Sequence, residues 1–245
     1  MKITIIIPSY NTSDFLEECV DSAFSQTYKN IEVILIDNES TDNTHKIIEN
    51  IAKKYPNLII GSAPNIFRHS WEEPVNMALS LSTGDYFTIL GSDDYIDKEY
   101  IEKCVKFLQN GKINISLFQS GLKTFNNNNR LETSIISHSY NGLEDLKNKM
   151  LSSLPVSTPT VFYSLDLYKK GLINWNSDKF LGACDYNLFC DLVDRGYYIY
   201  NYPKWTGYNY RWHPNQSTWG MKQEKINYDK IIQDYWNKKW KINIL

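Results

Sequence analysis

The sequence predicts an α/β fold in which a mostly parallel central sheet is flanked by helices. Short β-branched runs alternate with segments of helical periodicity in the first half, an order typical of a doubly wound parallel sheet. A chain of 245 residues is long enough to bury a sizeable core in one such domain. We therefore expect one domain with a first half at 1–110, a second half at 111–220 and a C-terminal helix at 221–245.

Apolar runs that predict strands alternate with helical patterns along the first half of the chain. Strands are predicted at 3–7, 31–36, 58–60 and 86–90, and helices at 15–24, 41–55, 74–81 and 97–110. Ser13 and Asp14 are suited to cap the first helix, and Pro74 fits the first turn of the third. Because the strands are predicted to be parallel, their carboxyl ends are expected at one edge of the sheet.

The second half of the chain is less regular. We expect one strand at 113–125, then a polar turn at 126–129 and a strand at 131–138 that pairs with the first. A helix at 182–194 is stopped by Gly196, and an aromatic, strand-like segment follows at 196–210.

A last helix is predicted at 224–240. Its apolar stripe consists of Tyr228, Ile231, Ile232, Tyr235 and Trp236. Packing of this stripe onto the domain is the preferred interpretation. A homodimer contact comes second, and docking to an anionic membrane surface comes third, because lysines follow the stripe.

Composition excludes several classes of protein. The formal net charge is −2 and no basic block occurs, so no nucleic-acid groove is expected. The four cysteines lack a CxxC pair, which suits reduced thiols in a cytosol-like compartment. The first apolar run is stopped by Pro8 and is too short for a signal peptide, and no segment approaches transmembrane length. We expect a cytoplasmic protein, with contact to the cytoplasmic face of a membrane left open.

Two adjacent carboxylates, Asp93 and Asp94, follow the buried run at 86–90. Buried carboxylates must be paired, hydrogen-bonded or bound to a metal. The carboxyl end of a strand is where open α/β sheets bind ligands, and a hard divalent cation there takes further oxygens from substrate phosphates. The pair predicts a metal-bridged phosphate site, and a local helix cap is the alternative.

Polar residues also end two other predicted strands. Pro8 and Tyr10 follow the first strand, and Asp37 and Asn38 follow the second. Together with Asp93 they could hold a nucleotide: an aromatic ring to stack on the base, polar groups for its edge, and a carboxylate for the metal. Neither GxGxxG after the first strand nor GxxxxGK[ST] occurs, which disfavours a dinucleotide fold and excludes a P-loop.

These motifs, taken as a set, resemble those of family 2 glycosyltransferases with the GT-A fold. The matching segments are Ile5-Ile6-Ile7-Pro8-Ser9-Tyr10-Asn11, Ser25-Gln26-Thr27-Tyr28, Ile34-Leu35-Ile36-Asp37-Asn38-Glu39-Ser40-Thr41-Asp42, Asn76, Gly84-Asp85-Tyr86, Ser92-Asp93-Asp94, Asp185 with Leu188, Arg195-Gly196-Tyr197, and Tyr210-Arg211-Trp212-His213-Pro214-Asn215. The resemblance covers about residues 1 to 217. It implies a Rossmann-like sheet with a smaller acceptor-side region.

The resemblance also implies the chemistry. Members of this family move a sugar from a nucleotide donor with inversion, and most need Mn²⁺ or Mg²⁺ to neutralise the leaving diphosphate. Asp93 would be a metal ligand, with His213 a second, and Asp185 would be the general base. The donor-binding residues would be Pro8, Tyr10, Asp37, Asn38, Arg68, Asn76, Ser92 and Asp94.

Each of these residues has a simpler structural interpretation. Tyr10 could pack its loop, and Asp37 with Asn38 could form a turn that caps the next helix. Asp185 could be a carboxylate favoured at a helix N-terminus. His213, a single histidine before proline, could be structural.

The sequence departs from the usual family pattern at four positions. Gly91 and Asn38 stand where many relatives have aspartate, and Cys184 stands where many have glutamate beside the base. Val75 replaces a basic residue often found before Asn76, and Arg68 could reach in from the same loop. Asn38 can still accept a hydrogen bond from an imide N–H, which keeps uracil plausible.

The expected function is therefore that of an inverting glycosyltransferase of the hexosyltransferase type, acting in polysaccharide biosynthesis. The expected donor is a UDP-sugar, and the expected acceptor is a hydroxyl of a glycan or of a lipid-linked sugar. A nucleotidyltransferase is one alternative, although it would need a basic, glycine-rich loop after the first strand. A non-catalytic sugar-binding module is another, although it would not need Asp93 and Asp185 together.

Overall fold

The computed structural model describes residues 1–67, 69–110 and 114–242. Its strands are β1 Ile3–Ser9, β2 Ile31–Asp37, β3 Ile59–Ser62, β4 Tyr86–Ile89, β5 Tyr95–Ile96, β6 Leu117–Ser120, β7 Leu122–Asn126, β8 Glu132–Ile136, β9 Val161–Ser164, β10 Ile199–Tyr202 and β11 Tyr208–Trp212. Its helices are α1 Leu16–Phe24, α2 Thr44–Lys54, α3 Glu72–Leu81, α4 Tyr100–Asn110, α5 Gly142–Met150, α6 Leu165–Lys169, α7 Ser177–Phe180, α8 Cys184–Asp194, α9 Ser217–Lys222 and α10 Tyr228–Ile242.

Seven strands form the central sheet in the order β10-β6-β9-β4-β1-β2-β3. Strands β1 to β4 are mutually parallel, β10 is parallel to β6, and only β9 runs antiparallel to its two neighbours in this sheet. Ile5, Ile6 and Ile7 of β1 are all fully buried, because helices cover both faces of the sheet. The predicted α/β fold with a mostly parallel sheet is confirmed.

The reversed strand β9 brings an extra segment to the ligand-binding edge of the sheet. Phe162 pairs with Thr88 of β4, and Ser164 pairs with Tyr86, so β9 begins where β4 ends. A 3₁₀ turn at Thr158–Thr160 immediately precedes β9. This turn therefore lies at the carboxyl edge of the parallel strands.

A second sheet has the order β5-β11-β7-β8. The prediction of one strand at 113–125 was wrong. Gly121 divides this segment into β6 and β7, which belong to different sheets. Residue 113 lies outside the described residues. A Cβ atom at Gly121 would lie 3.0 Å from the carbonyl oxygen of Pro203, so glycine suits the close approach of the two chain segments here. The segment predicted at 196–210 is divided in the same way into β10 and β11. The predicted pairing of the strand near 131–138 with β7 is present as β8.

Helix α10 packs against α8 through two tryptophans one turn apart. The indole N–H of Trp236 donates to Asn187 at 3.1 Å, and that of Trp240 donates to Asp194 at 2.9 Å. Ile232 and Trp236 are buried, whereas Tyr235 is 55% exposed. The apolar stripe is thus covered by protein along one side and exposed along the other. No helix among the described residues combines the length and the apolar character needed to cross a bilayer.

Candidate active site

The turn after β4 brings Asp93 to His213, which directly follows β11. Nε2 of His213 lies 2.9 Å from Oδ2 of Asp93. The imidazole ring packs on Phe15, with ring centroids 4.7 Å apart. The backbone N–H of His213 donates to Oε1 of Gln216 at 3.2 Å. The structure therefore brings together the two residues predicted to hold a metal. The ring contact with Phe15 and the hydrogen bond to Gln216 hold the histidine in place.

Asp94 is buried and faces β11 rather than solvent. Its carboxylate accepts hydrogen bonds from the Tyr208 hydroxyl at 2.7 Å and from the backbone N–H of Arg211 at 2.8 Å. Burial, and then the charge of Asp93, hold the pKa of Asp94 well above its usual range. Asp94 thus ties the β4 turn to β11, and its predicted part in donor binding stays a prediction. Ser92 is buried in the same turn.

Arg211 is part of this site, although the sequence pattern assigned it no role beyond its place in a matching segment. Only 2% of it is exposed. Its Nε donates to the backbone carbonyl of Asp93 at 2.6 Å, and its two terminal nitrogens donate to Asn127 at 2.9 Å and Glu18 at 2.6 Å. An arginine within an aromatic strand is the signal that could have identified it, because a buried guanidinium requires partners.

Gly91 allows the carboxylates of this turn to lie close together. A Cβ atom at Gly91 would lie 2.9 Å from Oδ2 of Asp94 and 3.0 Å from Oδ1 of Asp93. An aspartate at this position would also bring a third carboxyl group next to the other two. The glycine that replaces the common aspartate therefore matches the packing of this turn.

The Asp93–His213 contact is a hydrogen bond, and its length is also compatible with a divalent metal ion between the two side chains. Two ligands at about 2.1 Å from one ion in adjacent octahedral positions would be about 3 Å apart, close to the observed 2.9 Å. Within the described residues, no group of three or more His, Cys, Asp or Glu side chains could hold a metal. Further oxygens would therefore have to come from a substrate and water, as is usual where Mg²⁺ meets phosphates.

Tyr10 and Asp37 lie at the ends of β1 and β2, as predicted. Tyr10 is 48% exposed, which leaves its ring free to contact a ligand. Asp37 accepts a hydrogen bond from the Ser40 hydroxyl at 2.6 Å. The adjacent Asn11 has a φ of +52° and accepts the backbone N–H of Thr41 at 2.7 Å, which joins the two strand ends.

Asn38 is buried, with its side chain directed at the end of β3. Its amide nitrogen donates to the backbone carbonyls of Ala63 at 3.2 Å and Pro64 at 2.8 Å. Those contacts use both of its N–H donors for the loop, so only its amide oxygen is left to read a base.

Two other predicted donor-binding residues, Pro8 and Asn76, lie apart from these contacts. Pro8 is within β1 beside Ile36 of β2, and Asn76 is exposed on α3. Arg68 lies outside the described residues. Their roles therefore stay predictions.

Asp185 lies in the first turn of α8. Its Oδ2 accepts the Thr158 hydroxyl at 2.6 Å, and its Oδ1 accepts the backbone N–H of Tyr186 at 2.7 Å. Burial raises the pKa of Asp185 to about 6, against the effect of these hydrogen bonds. A carboxylate with this pKa is ionised at neutral pH and is a stronger base than an exposed one, as a general base requires.

Asp185 and the Asp93–His213 pair lie at the same edge of the central sheet. Asp93 follows the end of β4, and Thr158, which holds Asp185, precedes the reversed strand β9 at that edge. A cavity of about 370 Å³ lies beside His213, between the 11–15 loop and the 213–215 loop. A larger cavity of about 440 Å³ lies between α7, α8 and α10 and contains none of the predicted site residues.

Comparison with known proteins identifies the class to which this fold and site belong. Residues 4–171 match the sequence profile of Glycosyl transferase family 2. The match covers more than half of the chain, so the chain belongs to glycosyl transferase family 2. The expected family is confirmed.

Several curated relatives are much longer than this chain. Chondroitin synthase of Pasteurella multocida (strain Pm70) is 29% identical over 194 residues, which are 79% of this chain and 19% of that protein. Poly(ribitol-phosphate) beta-glucosyltransferase of Bacillus spizizenii (strain ATCC 23059 / NRRL B-14472 / W23) is 34% identical over 119 residues, which are 48% of this chain and 19% of that protein. The chain therefore spans about a fifth of the length of these relatives.

Solved structures of glycosyltransferases share the fold. S. aureus TarS 1-349 in complex with UDP-GlcNAc has a TM-score of 0.68 at 22% identity, covering 89% of this chain and 61% of that one. The mannosyltransferase PcManGT from Pyrobaculum calidifontis, in complex with GDP-Man and Mn²⁺, has a TM-score of 0.61 at 18% identity, covering 95% and 68%. The expected GT-A architecture is confirmed by these likenesses.

Proposed function

We propose that the chain transfers a sugar from a nucleotide-diphosphate donor to a hydroxyl of a glycan or lipid-linked acceptor, with inversion at the anomeric carbon. One observation carries this proposal. A carboxylate–imidazole pair suited to a metal, Asp93 and His213, shares one sheet edge with Asp185, a partly buried carboxylate whose pKa is raised toward neutrality. A nucleotidyltransferase or a sugar-binding module has no need for that second carboxylate.

In this reaction Asp185 is the general base. It removes the proton of the acceptor hydroxyl while that oxygen bonds to the anomeric carbon and the bond to the diphosphate breaks, so one displacement accounts for inversion. Asp185 becomes protonated, and the nucleoside diphosphate leaves with the electron pair of the broken bond.

At the donor end, Asp93 and His213 would hold Mn²⁺ or Mg²⁺, whose positive charge neutralises the leaving diphosphate when the ion is bound. Tyr10 stacks on the base, and Asp37 accepts a hydrogen bond from the base or the ribose. We propose a UDP-sugar as the donor, which the complex of TarS with UDP-GlcNAc supports, and a GDP-sugar is the alternative that PcManGT suggests.

A donor screen tests this proposal. Thermal unfolding is followed with each of a panel of nucleotide sugars, with and without Mn²⁺, because a ligand that binds the native state raises the melting temperature by mass action. We expect one donor to stabilise the protein only when Mn²⁺ is present. Asp93→Ala should lose this stabilisation, whereas Glu99→Ala, which removes an exposed carboxylate paired with Lys103, should keep it. Mn²⁺-dependent stabilisation that persists in Asp93→Ala would refute the assignment.

A further inference from the structure

We propose that Thr158 is a positioning residue for the base, whose hydroxyl fixes the orientation of the Asp185 carboxylate and keeps it ionised. This inference rests on the proposed function, because it assigns a partner to the base of that reaction. Thr158 lies within the residues that match the family profile but in none of the motifs named above, and its place before an antiparallel strand is not evident from the sequence.

The hydrogen bonds of Asp185 leave its carboxylate little freedom to rotate. Thr158 donates to Oδ2 at 2.6 Å, and the backbone N–H of Tyr186 donates to Oδ1 at 2.7 Å. The backbone bond is local to α8 and would persist in any helix that starts here. The Thr158 bond is the one that joins the base to the central sheet, and it therefore sets where the second oxygen points.

Thr158 is itself held rigidly. It begins the 3₁₀ turn that ends at Thr160, a fully buried residue. The Thr160 hydroxyl lies within hydrogen-bonding distance of two carbonyls, that of Ser120 at 3.0 Å and that of Ser157 at 2.8 Å. The turn is thus attached to the end of β6 and continues directly into β9, so the Thr158 hydroxyl occupies a fixed position at the sheet edge.

The other groups that face Asp185 do not favour its charge. Burial raises its pKa most, and the carboxylate of Asp229 at the start of α10 raises it further. The hydroxyl of Tyr163 on β9 and the thiol of Cys184 on α8 have raised pKa values, chiefly because of burial, and so remain neutral. Against these effects, the Thr158 hydrogen bond is the largest influence that favours the ionised base.

The test compares three threonine variants. Thr158→Val keeps the shape of the side chain but removes its hydroxyl. We expect the acidic limb of the rate–pH profile to move upward by about one pH unit and kcat on the plateau to fall about tenfold. KM for the nucleotide sugar should stay unchanged. Thr158→Ser keeps the hydroxyl, so the position of its acidic limb and its kcat should both match those of the wild type. Thr83→Val is the control, because the Thr83 hydroxyl donates to Glu32 before the start of β4, at the opposite edge of the sheet from Asp185, and its acidic limb should match that of the wild type.

A second readout does not depend on turnover. The carboxyl carbon of Asp185, assigned by its loss in Asp185→Asn, is titrated by ¹³C NMR, and its midpoint should rise in Thr158→Val by the same amount as the acidic limb. If the midpoint and the rate profile are both unchanged while Asp185→Asn is inactive, Thr158 is only structural and this inference fails while the proposed function stands. If Asp185→Asn transfers sugar at the normal rate, the assigned base itself is wrong. Should Thr158→Val not fold, Thr158→Ala is measured in the same two ways with the same expectation.

Discussion

Replacing Arg211 with lysine should destabilise the protein and weaken divalent-ion binding in one step. The guanidinium is 2% exposed and donates to Asp93, Asn127 and Glu18. Lysine keeps the charge, but its single ammonium group cannot reach three acceptors that are arranged around a planar fork. At least two acceptors would lose their donor.

The expected size of this effect follows from those contacts. The three acceptors are partly buried, and each lost hydrogen bond to the guanidinium costs about 1–2 kcal/mol, so Arg211→Lys should lower the free energy of unfolding by about 2–4 kcal/mol. The matched control is Arg130→Lys. Arg130 also pairs with Glu18, at 2.5 Å, but its side chain is 50% exposed, and exposed pairs contribute about 0–1 kcal/mol.

Urea unfolding of both variants measures this difference, first without metal and then with Mn²⁺ and the donor. Because Arg211 holds the backbone of Asp93, the added stability from Mn²⁺ should shrink in Arg211→Lys and stay the same in Arg130→Lys. Equal losses of stability in the two variants would refute the reasoning, since burial would then have no bearing on what this arginine contributes.

Three further predictions concern the terminal helix, the base and the glycine of the β4 turn. Trp236→Ala should cost about 3–5 kcal/mol of unfolding free energy, because a buried indole and its hydrogen bond to α8 are lost. Tyr235→Ala should cost under about 1 kcal/mol, because that side chain is largely exposed. Urea unfolding measures both, and equal costs would contradict the packing described. The folded state holds the proton of Asp185 more tightly than the unfolded state, because its pKa is raised from 3.8 to about 6, so this carboxylate lowers stability as pH rises through that window. Asp185→Asn should therefore raise the free energy of unfolding at pH 8 by up to about 3 kcal/mol, with little change at pH 3. The rate of sugar transfer should fall on the order of 10²-fold or more. A loss of stability at pH 8 would contradict the raised pKa. Gly91→Ala places a Cβ atom 2.9 Å from an Asp94 oxygen that accepts a hydrogen bond from Tyr208. We expect the free energy of unfolding to fall by about 1–3 kcal/mol and the stabilisation by Mn²⁺ to weaken. Thermal unfolding with and without Mn²⁺ measures both, and no change in either would contradict this prediction.

The sequence predicted the strands whose environment is uniform. The runs at β1, β2 and β4 are buried on both faces, so continuous β-branched and aromatic residues identify them without any tertiary information. Asp93 could be predicted for the same reason, because a carboxylate directly after such a run needs a partner.

The features that were missed depend on distant parts of the chain. Gly121 divides a predicted strand because Pro203 crosses there, and nothing within that segment signals the crossing. Arg211 is buried because Glu18 and Asn127, which lie far from it in sequence, supply its acceptors. Thr158 meets Asp185 only because β9 is antiparallel, a choice of topology that its four residues do not specify.

The configuration of the transferred sugar is the most direct test of the central claim, which is a single displacement assisted by Asp185. Purified protein is incubated with Mn²⁺, the donor found by the screen and an acceptor glycan, and the anomeric configuration of the transferred sugar in the product is determined by NMR. The account predicts a product of inverted configuration, formed with one equivalent of nucleoside diphosphate and absent in Asp185→Asn. A product that retains the configuration of the donor would contradict it, because retention requires two displacements or a different chemistry from the one proposed for this base.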